Sequence, residues 1–376
     1  MWNRTGSITR IAIKLGMALM GWTLAVAAHA QGCSYTSDNP YGQSTFLARP
    51  PLNVTALTIG RDVPNGTVLY RQAISAQAPF RVTCSAATTS YQMKRYVSLV
   101  RQPLSSWNSS PYAGQVYETG VPGIGAVFTY SGQAFPVVQM VAYSGSGTFT
   151  VPPLFGEINL IKIGPIAPGV ISSTSLPVVA FEVNGVPDTP NTGSALMTIP
   201  SFTGSIQIVA QTCTTPDVPV PLGSYKSSEF KGDRTGTPFK DFSIQLTNCP
   251  AFYGASASLI NTDSATGWVE SGRTLNPNVL QYSLNPTTIN PVGYPGTVLV
   301  ASGPGTATRV GVQIVRGDGS DTAVAFRTLM SSGITPTAVS GASYSIPLRA
   351  RYIQIGSVAP TPGVANTSVE FTINYQ

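Results

Sequence analysis

Short runs of alternating apolar and polar residues recur along the chain and carry the first structural signal. The clearest is the last one, in which Val369, Phe371, Ile373 and Tyr375 alternate with polar residues. A period of two is typical of a β-strand that buries one face. Similar runs, bounded by Gly, Pro, Asn and Ser, lie at residues 67–71, 96–101, 126–130, 205–210, 242–246, 310–315 and 344–355. No long segment has the 3.6-residue period of a helix, so the sequence predicts an all-β protein of two sandwiches or barrels in series.

The last run has two interpretations. It is either the ordinary final strand of a sandwich or a strand made to be contacted by a partner. A strand at the edge of a sheet presents unpaired backbone groups, and another strand can add there. The alternation itself does not distinguish the two.

Residues 1–30 have the features of a secretory signal peptide. Arg4, Arg10 and Lys14 form a basic start, an apolar run covers residues 15–28, and Ala28-His29-Ala30 matches a small-x-small cleavage site. We expect export and a mature chain that begins at Gln31. An N-terminal membrane anchor is the alternative, although the apolar run is short for a span.

Cleavage would change the charge and the available chemistry. His29 is the only histidine, and loss of Arg4, Arg10 and Lys14 leaves 18 of the 21 Lys and Arg residues against 15 Asp and Glu. This small excess argues against a nucleic-acid partner. Without histidine, acid–base and nucleophilic schemes that need an imidazole are excluded.

An enzyme is the less favoured alternative. A secreted carbohydrate-active enzyme would use paired carboxylates, and no Gly-x-Ser-x-Gly elbow is present. The segment Arg316–Asp321 is locally acidic but fits a hairpin turn better than a calcium loop. We expect a non-enzymatic protein without a cofactor or metal. The carboxylates of residues 31–210 form no motif and are Asp38, Asp62, Glu118, Glu157, Glu182 and Asp188.

The four cysteines are Cys33, Cys84, Cys213 and Cys249. An even number in a secreted chain predicts two disulfides, for which three pairings exist. Their order along the chain favours Cys33–Cys84 and Cys213–Cys249. A zinc site is the weaker alternative because CxxC spacing and histidine are both missing. One disulfide for each half suggests two domains, residues 31–210 and 211–376.

The second domain carries several motifs in a fixed order. Together they resemble the pilin domain of chaperone–usher fimbriae, the type 1 pilus family. The motifs are Cys213, Val218–Gly223, Phe242–Cys249, Arg309–Ile314, Ile346–Tyr352, Thr361–Asn366 and Val369–Gln376.

The resemblance implies an incomplete immunoglobulin-like sandwich that lacks its seventh strand. A periplasmic chaperone would fill the open groove during export, and the N-terminal extension of the next subunit would replace it at an outer-membrane usher. Val369, Phe371, Ile373 and Tyr375 would form one wall of the groove. The chaperone would grip the carboxylate of Gln376.

The first domain adds a resemblance to two-domain fimbrial tip adhesins, whose N-terminal domain is a lectin-like receptor-binding sandwich. Since no free strand precedes Cys33, we expect a place at the end of the fibre, on the cell surface. The receptor would be a host glycan or a matrix protein. A structural subunit without receptor binding is the alternative. The candidate ligand residues, which also fit ordinary turns, are Asp38, Asn39, Tyr41, Trp107, Asn108 and Tyr112.

Overall fold

The computed structural model describes residues 33–36, 45–75, 80–84, 90–142, 147–151, 154–186, 195–199, 201–255, 259–263 and 275–376. Two sets of predictions lie outside these residues. They are the signal peptide at residues 1–30 and the candidate ligand residues Asp38, Asn39 and Tyr41.

Strands are the main regular structure of the described residues, and the only helical turns among them are two short 3₁₀ turns, so the all-β prediction is confirmed. The strands up to residue 209 are β1 (Cys33–Tyr35), β2 (Thr45–Leu47), β3 (Ala56–Thr58), β4 (Val68–Ser75), β5 (Phe80–Cys84), β6 (Ser90–Leu99), β7 (Tyr117–Glu118), β8 (Ile124–Tyr130), β9 (Gln133–Ala134), β10 (Val137–Ala142), β11 (Gly147–Val151), β12 (Leu154–Lys162), β13 (Gly169–Ser172), β14 (Val178–Val186), β15 (Ala195–Ile199) and β16 (Ser205–Val209).

The strands of the second half are β17 (Lys240–Cys249), β18 (Leu259–Asp263), β19 (Leu280–Pro286), β20 (Thr297–Leu299), β21 (Val310–Arg316), β22 (Met330–Ser331), β23 (Ala342–Gln354) and β24 (Val369–Tyr375). Short 3₁₀ turns lie at Ser173–Ser175 and Ser227–Glu229. In the part of the chain that the structure describes, no helix has the length and apolar character needed to cross a membrane.

The first half is a sandwich of two main sheets. One has the strand order β10-β6-β14-β15-β2 and the other β18-β4-β12-β8-β7. Phe155 of β12 meets Phe181 of β14 edge to face at 6.0 Å, so the two sheets share one core. Smaller sheets, β1-β5-β11 and β13-β16-β3, complete this half. The Cys33–Cys84 disulfide joins β1 to β5.

The second half is a smaller sandwich with an unequal pair of sheets. Strands β17-β23-β21-β20 face β22-β19-β24, and all pairings within them are antiparallel. Ile244 and Leu348 of the first sheet share a core with Tyr282 and Ile373 of the second. The Cys213–Cys249 disulfide ties the start of this half to the end of β17. Both predicted disulfides are therefore present.

The two halves have separate cores, one built from residues 33–208 and the other from residues 213–375. Two contributions cross this division. Strand β18 pairs in parallel with β4 of the first half, and Leu275 packs against the first core. One strand of the second half is therefore part of a sheet of the first half. The order of the strands along the sequence does not indicate this pairing.

Candidate functional site

Strand β24 borders the candidate site because one of its edges is open. Among the described residues it pairs along its length with β19 alone. Val279 and Gln376 exchange backbone hydrogen bonds of 2.7 and 3.0 Å, which shows which residues of this strand are hydrogen-bonded to its neighbour. Backbone groups point alternately to either side of an antiparallel strand. The N–H and C=O groups of Val369, Phe371 and Ile373 therefore point away from β19, toward the open edge.

A groove of about 810 Å³ runs beside this edge. The floor of the groove consists of side chains from the core of the second half, and each of them is less than 8% exposed. They are Ile244, Leu284, Val312, Ile314 and Leu348. Water reaches an apolar core here because no strand of the described chain covers it. The apolar lining residues are Val218, Val220, Leu222, Ile244, Leu284, Val312, Ile314, Leu348, Val369 and Phe371.

The wall opposite β24 is a segment that cannot itself complete the sheet. Val218, Val220 and Leu222 alternate toward the groove, but Pro219 and Pro221 stand between them. Proline has no backbone N–H, so this segment cannot donate the regular hydrogen bonds of a strand. It holds its apolar side chains along the groove and leaves the gap beside β24 unfilled.

The residues predicted to line the groove divide into two pairs. Val369 and Phe371 do line it, and both are half-buried. Ile373 and Tyr375 share their face of the strand but do not line the cavity, because they are packed in the core at 7% and 4% exposure. The groove therefore borders only the first part of β24. Gln376, the terminal residue, is exposed.

Tyr375 anchors the closed end of β24. Its hydroxyl accepts a hydrogen bond of 3.1 Å from the backbone N–H of Cys213. Its ring stacks on Phe252 with centroids 6.2 Å apart. Burial raises the pKa of the Tyr375 hydroxyl, while the bond from Cys213 lowers it. The phenol stays protonated at physiological pH, so this anchor is neutral.

The first half of the chain covers this end of the strand. Gly60 lies so close that a Cβ there would be 1.6 Å from the carbonyl oxygen of Tyr375. Only glycine fits this approach. The edge of β24 is therefore closed by Gly60 at Tyr375 and open from Val369 to Ile373.

A buried set of hydrogen bonds fixes the same contact between the halves. The Thr58 hydroxyl donates to the carbonyl of Ala251 at 2.8 Å and accepts from the N–H of Tyr253 at 2.9 Å. The Asn278 amide donates to the carbonyl of Thr58 at 2.9 Å and to a main-chain oxygen of Gln376 at 3.4 Å. Thr58 is 2% exposed and Asn278 6%, so these bonds are shielded from water. We call this set, with Gly60, the junction.

The described candidate ligand residues of the first half lie in one loop. Trp107 donates its indole N–H to the carbonyl of Pro111 at 2.8 Å, and Trp107 and Tyr112 pack against a small apolar cluster. These two rings hold the loop in place. Asn108, between them in sequence, is exposed. The structure thus brings Trp107, Asn108 and Tyr112 into one loop, and only Asn108 projects freely into solvent.

Sequence reasoning missed the groove residues outside β24. Leu284, Val312 and Leu348 lie on three different strands, and only the fold brings them together. The alternation of Val218, Val220 and Leu222 around two prolines is the signal that was available. In the part of the chain that the structure describes, no group of three or more Cys, His, Asp or Glu side chains could hold a metal ion.

Comparison with known proteins links the groove-bearing half to a family. A family model described as "Fimbrial protein" matches residues 201–376. The "Type-1 fimbrial protein, A chain" of Escherichia coli is 27% identical over 220 residues, which cover 57% of this chain and 100% of the relative.

Two adhesins are among the solved structures that the comparison found. The CupB6 tip adhesin of Pseudomonas aeruginosa covers 91% of this chain and 93% of its own, at 17% identity and a TM-score of 0.33. The receptor binding domain of the adhesin MrkD1P of Klebsiella pneumoniae covers 48% of this chain and 97% of its own, at 18% identity and a TM-score of 0.31.

The family match falls on the half of the chain that holds the second sandwich and its groove. The order of motifs in the sequence, the relative and the family model agree. Residues 201–376 of this chain are therefore similar to a fimbrial protein.

Proposed function

We propose that this chain is the tip adhesin of a fimbria. Residues 211–376 serve as a pilin domain that accepts a strand from a partner, and residues 31–210 serve as the receptor-binding domain. The observation that carries the proposal is the open edge of β24 beside an apolar groove.

The groove suits a donated β-strand in both backbone and side chains. The outward N–H and C=O groups of Val369, Phe371 and Ile373 offer hydrogen bonds to an added strand. Alternate apolar side chains of that strand would sit on Ile244, Leu284 and their neighbours. Each fully buried aliphatic side chain contributes about 1.5–3 kcal/mol. A periplasmic chaperone supplies the strand first, and the next fimbrial subunit replaces it at an outer-membrane usher.

The first half supports a position at the tip. Strand β1 is paired with β5 and bridged to it by Cys33–Cys84, so it is part of the first core and does not extend as a donor. A subunit that accepts a strand but does not donate one ends the fibre. This accounts for a second sandwich placed at the closed end of β24.

The receptor is a glycan or a matrix protein, bound without catalysis. Sugar sites combine side-chain amides with an aromatic face. Asn108 beside Trp107 and Tyr112 has this chemistry on an exposed loop, and Asp38, Asn39 and Tyr41 are the second candidate set. A chaperone complex of the full chain, applied to a glycan and matrix-protein array, should bind specific spots. Asn108→Ala should weaken this binding if the loop is the site, while no binding at all would favour a structural subunit.

The groove is tested with a synthetic peptide of the partner subunit's N-terminal segment. The peptide should raise the melting temperature of the full chain. At 100 times its dissociation constant, a ligand stabilises by about 2.7 kcal/mol, which corresponds to about 5–10 °C for a domain of this size. The matched control is the same peptide with neighbouring residues exchanged, so that its apolar side chains face outward. A chain that is stable alone and unaffected by either peptide contradicts the proposal.

A further inference from the structure

An exposed apolar surface lies at the end of the second half opposite the junction. Two loops form it, residues 287–296 and 355–366, and we call them the pole loops. Val292 is 99% exposed and Ile289 71%, and on the second loop Val358 and Val364 are 56% and 55% exposed. Groups of exposed apolar side chains are typical of protein–protein interaction sites, whereas single ones are ordinary.

Hydrogen bonds hold the two pole loops side by side. The N–H of Gly356 donates to the Tyr294 hydroxyl at 2.9 Å. Tyr294 in turn donates to the carboxylate of Asp233 at 2.5 Å. The hydroxyl of Thr288 is also 3.1 Å from that of Thr367, the residue that follows the second pole loop. The exposed aliphatic side chains therefore belong to two loops that hydrogen bonds hold together.

The groove continues to the pole loops. A second cavity, of about 380 Å³, shares Tyr352, Ala365 and Asn366 with the groove and is also lined by Val364. Val369, where β24 begins, follows the second pole loop after two residues. A strand lying in the groove thus reaches the pole loops at one end.

The other end of the groove is blocked. Gly60 lies on the Tyr375 carbonyl, and the junction covers this end with residues of the first half. A strand that belongs to a folded partner must leave the groove to rejoin that partner's body. The pole loops mark the end at which it can do so.

We propose that the pole loops are the docking surface for the folded body of the fimbrial subunit whose strand fills the groove. The inference rests on the proposed function of the groove. It assigns Ile289, Val292, Val358 and Val364 to a second contact between the same two subunits, additional to the donated strand. The occupant is apolar at this contact, because the surface offers aliphatic side chains and few charges.

Hydrogen–deuterium exchange separates the two contacts. The full chain is examined alone, with a synthetic peptide of the partner's N-terminal segment, and with the whole shaft subunit of the same fimbria. We expect both additions to slow exchange along β24. Only the whole subunit should slow exchange in residues 287–296 and 355–366.

A substitution gives a matched test. Val292→Asp places a charge in the contact, and a desolvated unpaired charge costs enough to lower affinity about tenfold or more. It should reduce protection of the pole loops by the whole subunit and leave peptide binding unchanged. Val339→Asp is the control, since Val339 is 61% exposed and lies near the closed end, beside the Thr337 carbonyl that pairs with Phe252.

The outcomes are distinct. Protection of β24 by the whole subunit without protection of the pole loops overturns this inference and leaves the groove intact. Absence of protection at β24 with either addition overturns the proposed function itself. If Val292→Asp and Val339→Asp reduced the protection of the pole loops by the whole subunit equally, this result would also count against a contact at the pole loops.

Discussion

Strands β15 and β24 share one sequence pattern but have different neighbours. In β15, Ala195, Met197 and Ile199 alternate inward and are all 0% exposed, because β14 lies on one side and β2 on the other. In β24, Val369 and Phe371 remain half-buried, because β19 is its neighbour on one side and the groove lies on the other. Alternation identifies the buried face of a strand. Whether the edge is paired depends on the rest of the chain.

The two halves therefore use apolar burial differently. The first half completes its sandwich with its own strands, even taking β18 from the second half. In the second half, no strand of the described chain covers the apolar groove beside β24. Under the proposed function, the second half gains further stability when a partner's strand fills its groove.

The largest effect should come from creating a cavity in the core of the first half. Phe181 is 1% exposed and contacts Phe155, so Phe181→Ala should lower the free energy of unfolding of the first half by about 3–5 kcal/mol. Phe371→Ala in the groove should cost only about 1 kcal/mol, because that ring is already partly in water. Denaturant unfolding of the full chain measures both. Equal costs for the two substitutions would mean that the groove is not open.

A second substitution addresses the closed end of β24. Gly60→Ala should cost about 1–3 kcal/mol, since the new methyl group would collide with the Tyr375 carbonyl. Gly164→Ala is the matched control, because its Cβ would meet no atom closer than 3.9 Å. Thermal unfolding should show a lower melting temperature for Gly60→Ala alone. An unchanged melting temperature for Gly60→Ala would mean that the first half does not cover the closed end of β24.

Tyr375→Phe should have a smaller effect. It removes the hydroxyl that accepts from the Cys213 N–H and leaves this buried donor unpaired, at a cost of about 1 kcal/mol. Tyr253→Phe, at a 40% exposed residue, provides the control. If the closed end is complete without a partner, the cost should be the same with and without a peptide in the groove. A cost that vanishes when the peptide binds would place Tyr375 in the groove.

The smallest effect concerns the stability in acid that Asp233 provides beside the pole loops. The hydrogen bond from Tyr294 is the main cause that lowers the pKa of the Asp233 carboxyl, and the Gly356 N–H adds to it. A lowered pKa stabilises the fold above the ordinary carboxyl value, about 3.9, and the contribution is lost as the pH falls below it. Asp233→Asn should therefore flatten the acid limb of the pH–stability curve slightly. Asp217→Asn, at an exposed carboxylate on the groove rim, is the matched control substitution.

Much of the second half could be predicted from local sequence. Alternation located β24, the order of the cysteines gave the two disulfides, and the motifs from Cys213 to Gln376 matched a known family. The closure of β24 could not be predicted, because it depends on Gly60, which is distant in sequence and ordinary in type. The same holds for the pairing of β18 with β4, since parallel pairing between distant segments leaves no local pattern.

Arg95 illustrates the limit within the first half. Alternation along β6 assigns it to the buried face, and it is 0% exposed. Its guanidinium lies over the ring of Tyr130 at 3.5 Å and over Phe181 at 4.6 Å, and Nε donates to the carbonyl of Phe155 at 2.8 Å. Burial lowers the pKa of Arg95 to about 10. The partners that make this buried cation tolerable come from three other strands or loops, so sequence order could not identify them.

The most direct test of the account follows individual backbone amides of β24 while a donor-strand peptide is added. The N–H groups of Phe371 and Ile373 point to the open edge, whereas those of Glu370, Thr372 and Asn374 already face β19. We predict fast exchange at Phe371 and Ile373 in the free chain and strong slowing when the peptide binds, with little change at Thr372 and Asn374. Slow exchange at Phe371 and Ile373 in the free chain, or no change on adding the peptide, would contradict an open and strand-accepting sandwich.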